Sequence, residues 1–276
     1  MRALLRDGRA RFGLAVLLGM TLLAICAPLV STIGPTEQRD VVVTRFLAPF
    51  TTDVHGVLHP LGTDRLGRDV WARLVHGARI SLGVGALAIL ISTALGIGIG
   101  AIAGVWRGGI RAALLGLTDF ALALPRVVLL LLLAALWRPS ALLVVIVLGL
   151  TGWMSVARLV YAESRSLMAR PFVDGALALG AAKGRVLTRH IVPNAVTPAL
   201  VAAALGFGNA IMLEAGLSFL GIGVQPPAAS WGSMIASGRD TLVNAPWVAL
   251  APGVALVLVV VAATLVGDAV QDWRGA

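Results

Sequence analysis

A chain of 276 residues that is 58% hydrophobic and only 13% charged, with a mean hydropathy of +0.93, carries far more apolar surface than one water-soluble core can hide. The net charge of +9 would suit nucleic acid, but aromatic residues are only 5% and the arginines stand at the ends of apolar runs, a pattern of membrane topology. The single cysteine, Cys26, lies within an apolar run, which rules out an intrachain disulfide and argues against a metal cage.

Arg2, Arg6, Arg9 and Arg11 precede the apolar stretch Gly13–Ile33, which is longer than a signal-peptide core and is followed by no clear small-residue cleavage site. It reads as an uncleaved anchor helix. About 20 apolar residues of helix cross a bilayer core, and that ruler predicts six spans, roughly 13–33, 80–105, 113–136, 140–158, 195–222 and 245–267. The expected class is therefore an all-α, polytopic membrane protein with six transmembrane helices. It divides into an anchor helix with an extracytoplasmic loop, 1–79, and a five-helix core, 80–276, that includes the loop 161–193.

Threading these spans from a cytoplasmic N-terminus puts Arg107, Arg111, Arg165, Arg170, Lys183, Arg185, Arg189 and Arg274 on the same side as the N-terminal arginines, while the short outer connections hold only Arg138 and Arg239. The first outer loop, 34–79, carries several arginines as well, partly balanced by Glu37, Asp40, Asp53, Asp64 and Asp69. At its end Val70, Trp71, Leu74, Val75 and Ala78 recur at helical spacing. This predicts an amphipathic helix, either lying on the membrane surface or packed on the other spans.

In the second span Gly96, Gly100 and Gly104 fall four residues apart, a spacing that allows a second helix to approach closely, within this chain or across a subunit interface. Asp119, at the edge of the third span, is within reach of headgroup water or Arg111. Glu214 lies deeper in the fifth, where burying a carboxylate is expensive and often functional; a structural hydrogen bond to a neighbouring helix and a place in a transport pathway both fit. Beyond it, Pro226-Pro227 cannot continue the helix, and Ser230 is placed to cap a short outer helix from Trp231.

Between the fourth and fifth spans lies a basic, helix-prone island, Phe172–Asn194, too polar to cross a bilayer. Asp174-Gly-Ala176 offers a carboxylate for a helix start, Gly180 and Gly184 are helix breakers, and Pro193 is expected to stop the helix of Arg185–Val192. Two short helices with a turn near Gly180 follow.

No hydrolytic signature accompanies these elements. His55, His59, His76 and His190 form no His-Glu-x-x-His zinc motif, no Gly-x-Ser-x-Gly elbow occurs, and the only lysine, Lys183, stands outside any phosphate loop. No catalytic residue and no metal ligand is predicted.

Three separated stretches carry a resemblance. The order of Asp174, Gly175, Ala176, Gly180 and Pro193 resembles the Glu-Ala-Ala…Gly…Pro loop of the membrane subunits of ATP-binding-cassette importers, with Asp-Gly in place of the usual Glu-Ala. Leu61-Gly-Thr-Asp-Arg-Leu-Gly-Arg-Asp-Val70 with Gly77-Ala-Arg-Ile-Ser-Leu82, and the run Glu214–Gly232, look like signatures of the dipeptide, oligopeptide and nickel branch of those permeases. The resemblance implies a MetI-like fold in a bacterial or archaeal cell membrane. It also implies a second, similar permease, two ATP-binding subunits, an extracytoplasmic solute-binding protein and surrounding lipid as partners, and no nucleic acid. ATP and Mg would be held by the ATPase subunits and no cofactor by this chain. Asp174, Gly175, Ala176, Gly180, Arg185, Arg189 and Pro193 would then form the surface that couples to the ATPase. The rival expectation is a proton- or ion-coupled carrier that works alone through Asp119 and Glu214; it calls for an inverted internal repeat, and no convincing one is visible.

Overall fold

The computed structural model describes residues 7–38 and 40–275. Arg2 and Arg6 of the basic N-terminus, and the side chain of Arg274, lie outside the described residues. The chain runs α1 (Gly8–Ile25), α2 (Ala27–Val30), α3 (Val41–Thr44), a hairpin of β1 (Thr51–Thr52) and β2 (Leu58–His59), α4 (Val70–Val105), α5 (Gly109–Ala123), α6 (Arg126–Leu136) and α7 (Ala141–Met168). It continues through α8 (Pro171–Ala178), α9 (Lys183–Val186), a π-helical turn at Leu187–Ile191, α10 (Val192–Phe219), α11 (Trp231–Arg239) and α12 (Trp247–Gly275).

Five helices among the described residues are long and apolar enough to cross a membrane: α1, α4, α7, the rod Lys183–Phe219 and α12. The third expected span, 113–136, is instead two helices. Pro125 has no N–H to donate and disfavours helical geometry in the residue before it, so Leu124 is extended at φ −77°, ψ 130° and Pro125 stands just ahead of α6. α5 and α6 thus make the sixth element of the bundle as a broken rod.

The core is built around α4. It packs along almost its whole length against α7, with α10 closing the third side and α1 and α12 adding an outer layer. The glycines set the closest seam: a Cβ at Gly96 would strike Val156, one at Gly100 would meet the carbonyl of Ala157 and the side chain of Val160, and one at Gly104 would strike Ser164. All three contacts are with α7, so this stripe joins two helices of one chain rather than two subunits. At the ends of the outer layer, Arg9 Nη2 reaches Asp272 Oδ2 at 3.0 Å, which places the start of α1 beside the end of α12.

The periodic stretch after residue 70 is no separate surface helix. It forms the first turns of α4, where Arg73 is buried and turned toward Asp64. The preceding signature stretch supplies the reason. Asp64 accepts from Arg68 Nε at 2.8 Å and pairs with Arg68 Nη2 at 2.7 Å, while Arg73 Nη1 donates to the carbonyl of Pro35 at 3.0 Å. Asp69 caps α4 by accepting from the N–H of Ala72 and holds His59 Nδ1 at 2.7 Å. On the other side of the same imidazole, Nε2 lies 3.5 Å from Asp53 Oδ2. Burial works against ionisation of Asp53, yet the N–H groups of Val57 and His55, together with His59, hold its carboxyl below the usual carboxylate range. This ionic knot fastens the first loop onto the head of α4.

Candidate coupling site

At the far end of α7 the backbone turns sharply. Arg170 is extended, and Pro171, whose fixed φ suits the first helical position, opens α8. Asp174 is therefore one turn inside the helix rather than its cap; no side chain caps α8, and the carboxylate contributes by its charge near the positive end of the helix dipole. Val173 is fully buried and anchors α8 in a cluster with Val105, Val160, Val186 and Ile191. Phe172 stacks at an angle against His190, the ring centroids 5.9 Å apart.

α8 ends as expected at Gly180. The N–H of Ala181 donates to the carbonyl of Ala176 and that of Gly180 to Leu177, the paired bonds of a Schellman turn, and Gly180 sits at φ +83°, where only glycine is unstrained. The turn leaves Leu179 the most exposed of these side chains, at 91%, and Phe172 at the start of α8 is 49% exposed. Sequence reasoning missed both side chains. The signal was available for Leu179, because the residue before a left-handed glycine necessarily stands at the tip of the turn.

The second helix departs from expectation. Gly184 lies inside α9, and Pro193 does not end the helix: Lys183 to Phe219 is one continuous rod. The π turn explains this. Val192 donates its N–H five residues back, to the carbonyl of Leu187, and the widened turn relieves the clash that a proline ring makes with the carbonyl four residues earlier. Asn194 then donates its side-chain amide to the carbonyl of His190 at 2.6 Å.

Asp174, Gly175, Gly180, Arg185, Arg189 and Pro193 are all exposed on this knuckle, and Ala176 is half-buried. Neither Asp174 nor Arg185 nor Arg189 has an ion-pair partner among the described residues. The result is a bulge of exposed Phe172 and Leu179 flanked by unpaired cations, on a rod that continues into the middle of the bundle.

The two membrane carboxylates lie elsewhere and apart. Asp119 on α5 pairs with Arg158 on α7, not with Arg111, whose Nε donates to the carbonyl of Trp106. Glu214 is completely buried on α10. Ser81 Oγ donates to its Oε2 at 3.0 Å and Ser218 Oγ to its Oε1 at 2.8 Å. Ser81 in turn accepts from the backbone N–H of Trp231 at 3.0 Å, at the head of α11. As expected, Ser230 caps that helix, in a reciprocal pair with Ser233. Glu214 thus binds α4, α10 and α11 together through satisfied hydrogen bonds.

Residues 96–274, which include the knuckle and Glu214, match the family described as binding-protein-dependent transport system inner membrane component. The chain belongs to this family. Among these inner membrane components, a Brucella abortus protein provisionally named a peptide transport system permease protein is 39% identical over 271 residues, 98% of this chain and 88% of the relative. The dipeptide transport system permease protein DppC of Alkalihalophilus pseudofirmus is 34% identical over 271 residues, 98% of this chain and 86% of that protein. A chain from the inward-facing MetNI methionine ABC transporter shares the fold, with a TM-score of 0.59 at 18% identity over 73% of this chain and 95% of the other. Membership makes the molecule a transport subunit of the inner membrane.

Proposed function

We propose that this chain is the membrane permease subunit of an ATP-driven importer for di- or oligopeptides or related small solutes, and that the α8–α9 knuckle is the surface gripped by an ATP-binding subunit. The knuckle is the observation that carries the reading: unpaired Arg185 and Arg189 and exposed Leu179 and Phe172 stand at the root of a 37-residue rod. A push on α8 acts on that rod directly, because Val173 and Val186 share one buried cluster with Ile191 and with Val105 at the end of α4. Closure of the ATPases would move the knuckle and tilt α10 against α4 and α7, exchanging outward and inward openings.

The complete machine on this reading has a second, homologous permease, two ATP-binding subunits that hold ATP and Mg, and a solute-binding protein on the outer face. The knuckle and the N-terminus are then cytoplasmic. The peptide relatives and the match to an importer permease fold support it. The rival carrier reading finds no support in Asp119 and Glu214, one paired with Arg158 and the other sealed by two serines.

Gly180→Leu tests the coupling role. A side chain at φ +83° costs about 1–2 kcal/mol in backbone strain and reshapes the turn that presents Leu179. The expected outcome is unchanged membrane insertion with ATP-driven uptake reduced several-fold in vesicles carrying the whole transporter. Uptake at the wild-type rate would remove the knuckle from the coupling path.

A further inference from the structure

The three central helices line a partly open cavity of about 170 Å³. A single water needs roughly 10–15 Å³ by the same measure, so there is room for a residue-sized group. Small residues, among them Ala88, Gly152 and Gly206, create the space. Three neutral polar side chains converge on it, one from each helix: Ser92 of α4, Ser155 of α7 and Asn209 of α10, each near the middle of its span.

These groups lack partners. Ser92 is only 2% exposed, and its hydroxyl makes no hydrogen bond, not even to its own helix. Ser155 and Asn209 are exposed at the rim, and among the described residues neither side chain is hydrogen-bonded. At mid-membrane depth an unsatisfied hydroxyl or amide is costly. That buried hydroxyl and two exposed polar groups, facing one space from three helices, describe a site open to something that hydrogen-bonds.

The lining also says what that is. Among the described residues no Asp, Glu, Lys, Arg or His borders the cavity, so its lining does not suit a charged terminus, a bare cation or a metal chelate. An asparagine amide and two hydroxyls offer both donors and acceptors, the complement of a peptide N–H and C=O. Neutral hydrogen bonds are weak enough to be released, as passage through a membrane requires.

We propose that this cavity is a transit site within this subunit for the backbone amide of a passing peptide, held by Asn209, Ser92 and Ser155. The inference rests on the importer reading and adds to it a place and a chemistry for solute contact. The test uses the complete transporter with its binding protein in proteoliposomes, with Ala-Ala and Ala-Ala-Ala as probes. Asn209→Leu and Ser92→Ala should each lower peptide delivered per ATP hydrolysed by about five-fold, the worth of one neutral hydrogen bond, while ATP hydrolysis stimulated by the loaded binding protein stays at the wild-type rate. Asn209→Gln should recover part of the loss. In a Cys26→Ser background, a cysteine introduced by Ser155→Cys should react more slowly with a thiol reagent when Ala-Ala is present during turnover. Ser92→Ala removes a single oxygen and secures the result should Asn209→Leu fail to assemble. Unchanged delivery per ATP in the variants, with no protection of the thiol, would mean that the cavity holds water alone and would overturn the site while leaving the importer intact. Absence of ATP-driven uptake of either peptide by the wild-type complex would overturn both.

Discussion

Glu214 shows what one residue decides. A carboxylate buried in a span was legible as costly from the sequence alone, but its meaning depended on partners that no local pattern reveals: Ser81 stands 133 residues earlier, and Trp231 joins only through the hydroxyl of Ser81. The same holds for Asp119, whose partner Arg158 comes from another helix and displaced the nearer candidate Arg111. If Glu214 is a clamp, shape and hydrogen bonding matter more than charge. Glu214→Gln should keep ATP-driven uptake close to wild type, because the amide oxygen still accepts from one serine. Glu214→Ala leaves two hydroxyls and an emptied volume, and should cost about 2–3 kcal/mol, seen as a lower thermal midpoint of the detergent-purified protein. Lost uptake in Glu214→Gln with an unshifted midpoint would instead assign the carboxylate to ion movement.

At the level of elements, the caps and turns were the readable part and the long-range packing was not. Ser230 and Gly180 acted as their local chemistry dictates, since a cap or a left-handed turn is decided within four residues. The prolines divided by context. Pro125 broke its span, whereas Pro193 was absorbed by a π turn and Pro198 lies buried inside α10, where neighbouring helices stabilise what propensity opposes. The run from residue 70 looked amphipathic, but with Arg73 turned toward Asp64 α4 starts ten residues before the apolar ruler said it should. The glycine stripe was visible as spacing, and only the structure assigns its partner. Gly98 and Gly100 give a controlled comparison on α4: a Cβ at Gly98 meets nothing within 4 Å, and one at Gly100 meets α7. Gly98→Ala should be neutral or slightly stabilising, while Gly100→Ala should destabilise by about 1–3 kcal/mol as the helices are forced apart. Equal thermal midpoints for the two variants would show that the α4–α7 seam has slack.

For the whole molecule, the rod Lys183–Phe219 fixes which features share a side of the membrane. Its 37 residues span about 55 Å at the helical rise of about 1.5 Å per residue, more than a bilayer core, so the knuckle at its start and the α11 region beyond its end stand on opposite faces. Arg9 against Asp272 then joins the two chain ends at one face, and two apolar helices passing in opposite directions from there, α1 and α12, bring the first loop and the α11–α12 turn to the other. Two residues mark the opposite faces without disturbing packing: Leu179 at the knuckle, 91% exposed, and Val243 between α11 and α12, 95% exposed. Because Cys26 is the only cysteine, Cys26→Ser provides a clean background. In intact cells stripped of any outer barrier, a membrane-impermeant maleimide should label Val243→Cys at once, whereas Leu179→Cys should react only after the membrane is opened. Adding the ATP-binding subunits to opened membranes should then protect Leu179→Cys and leave Val243→Cys unchanged. The reverse order of labelling would turn the knuckle away from ATP, and no contact with a cytoplasmic ATPase could drive the rod.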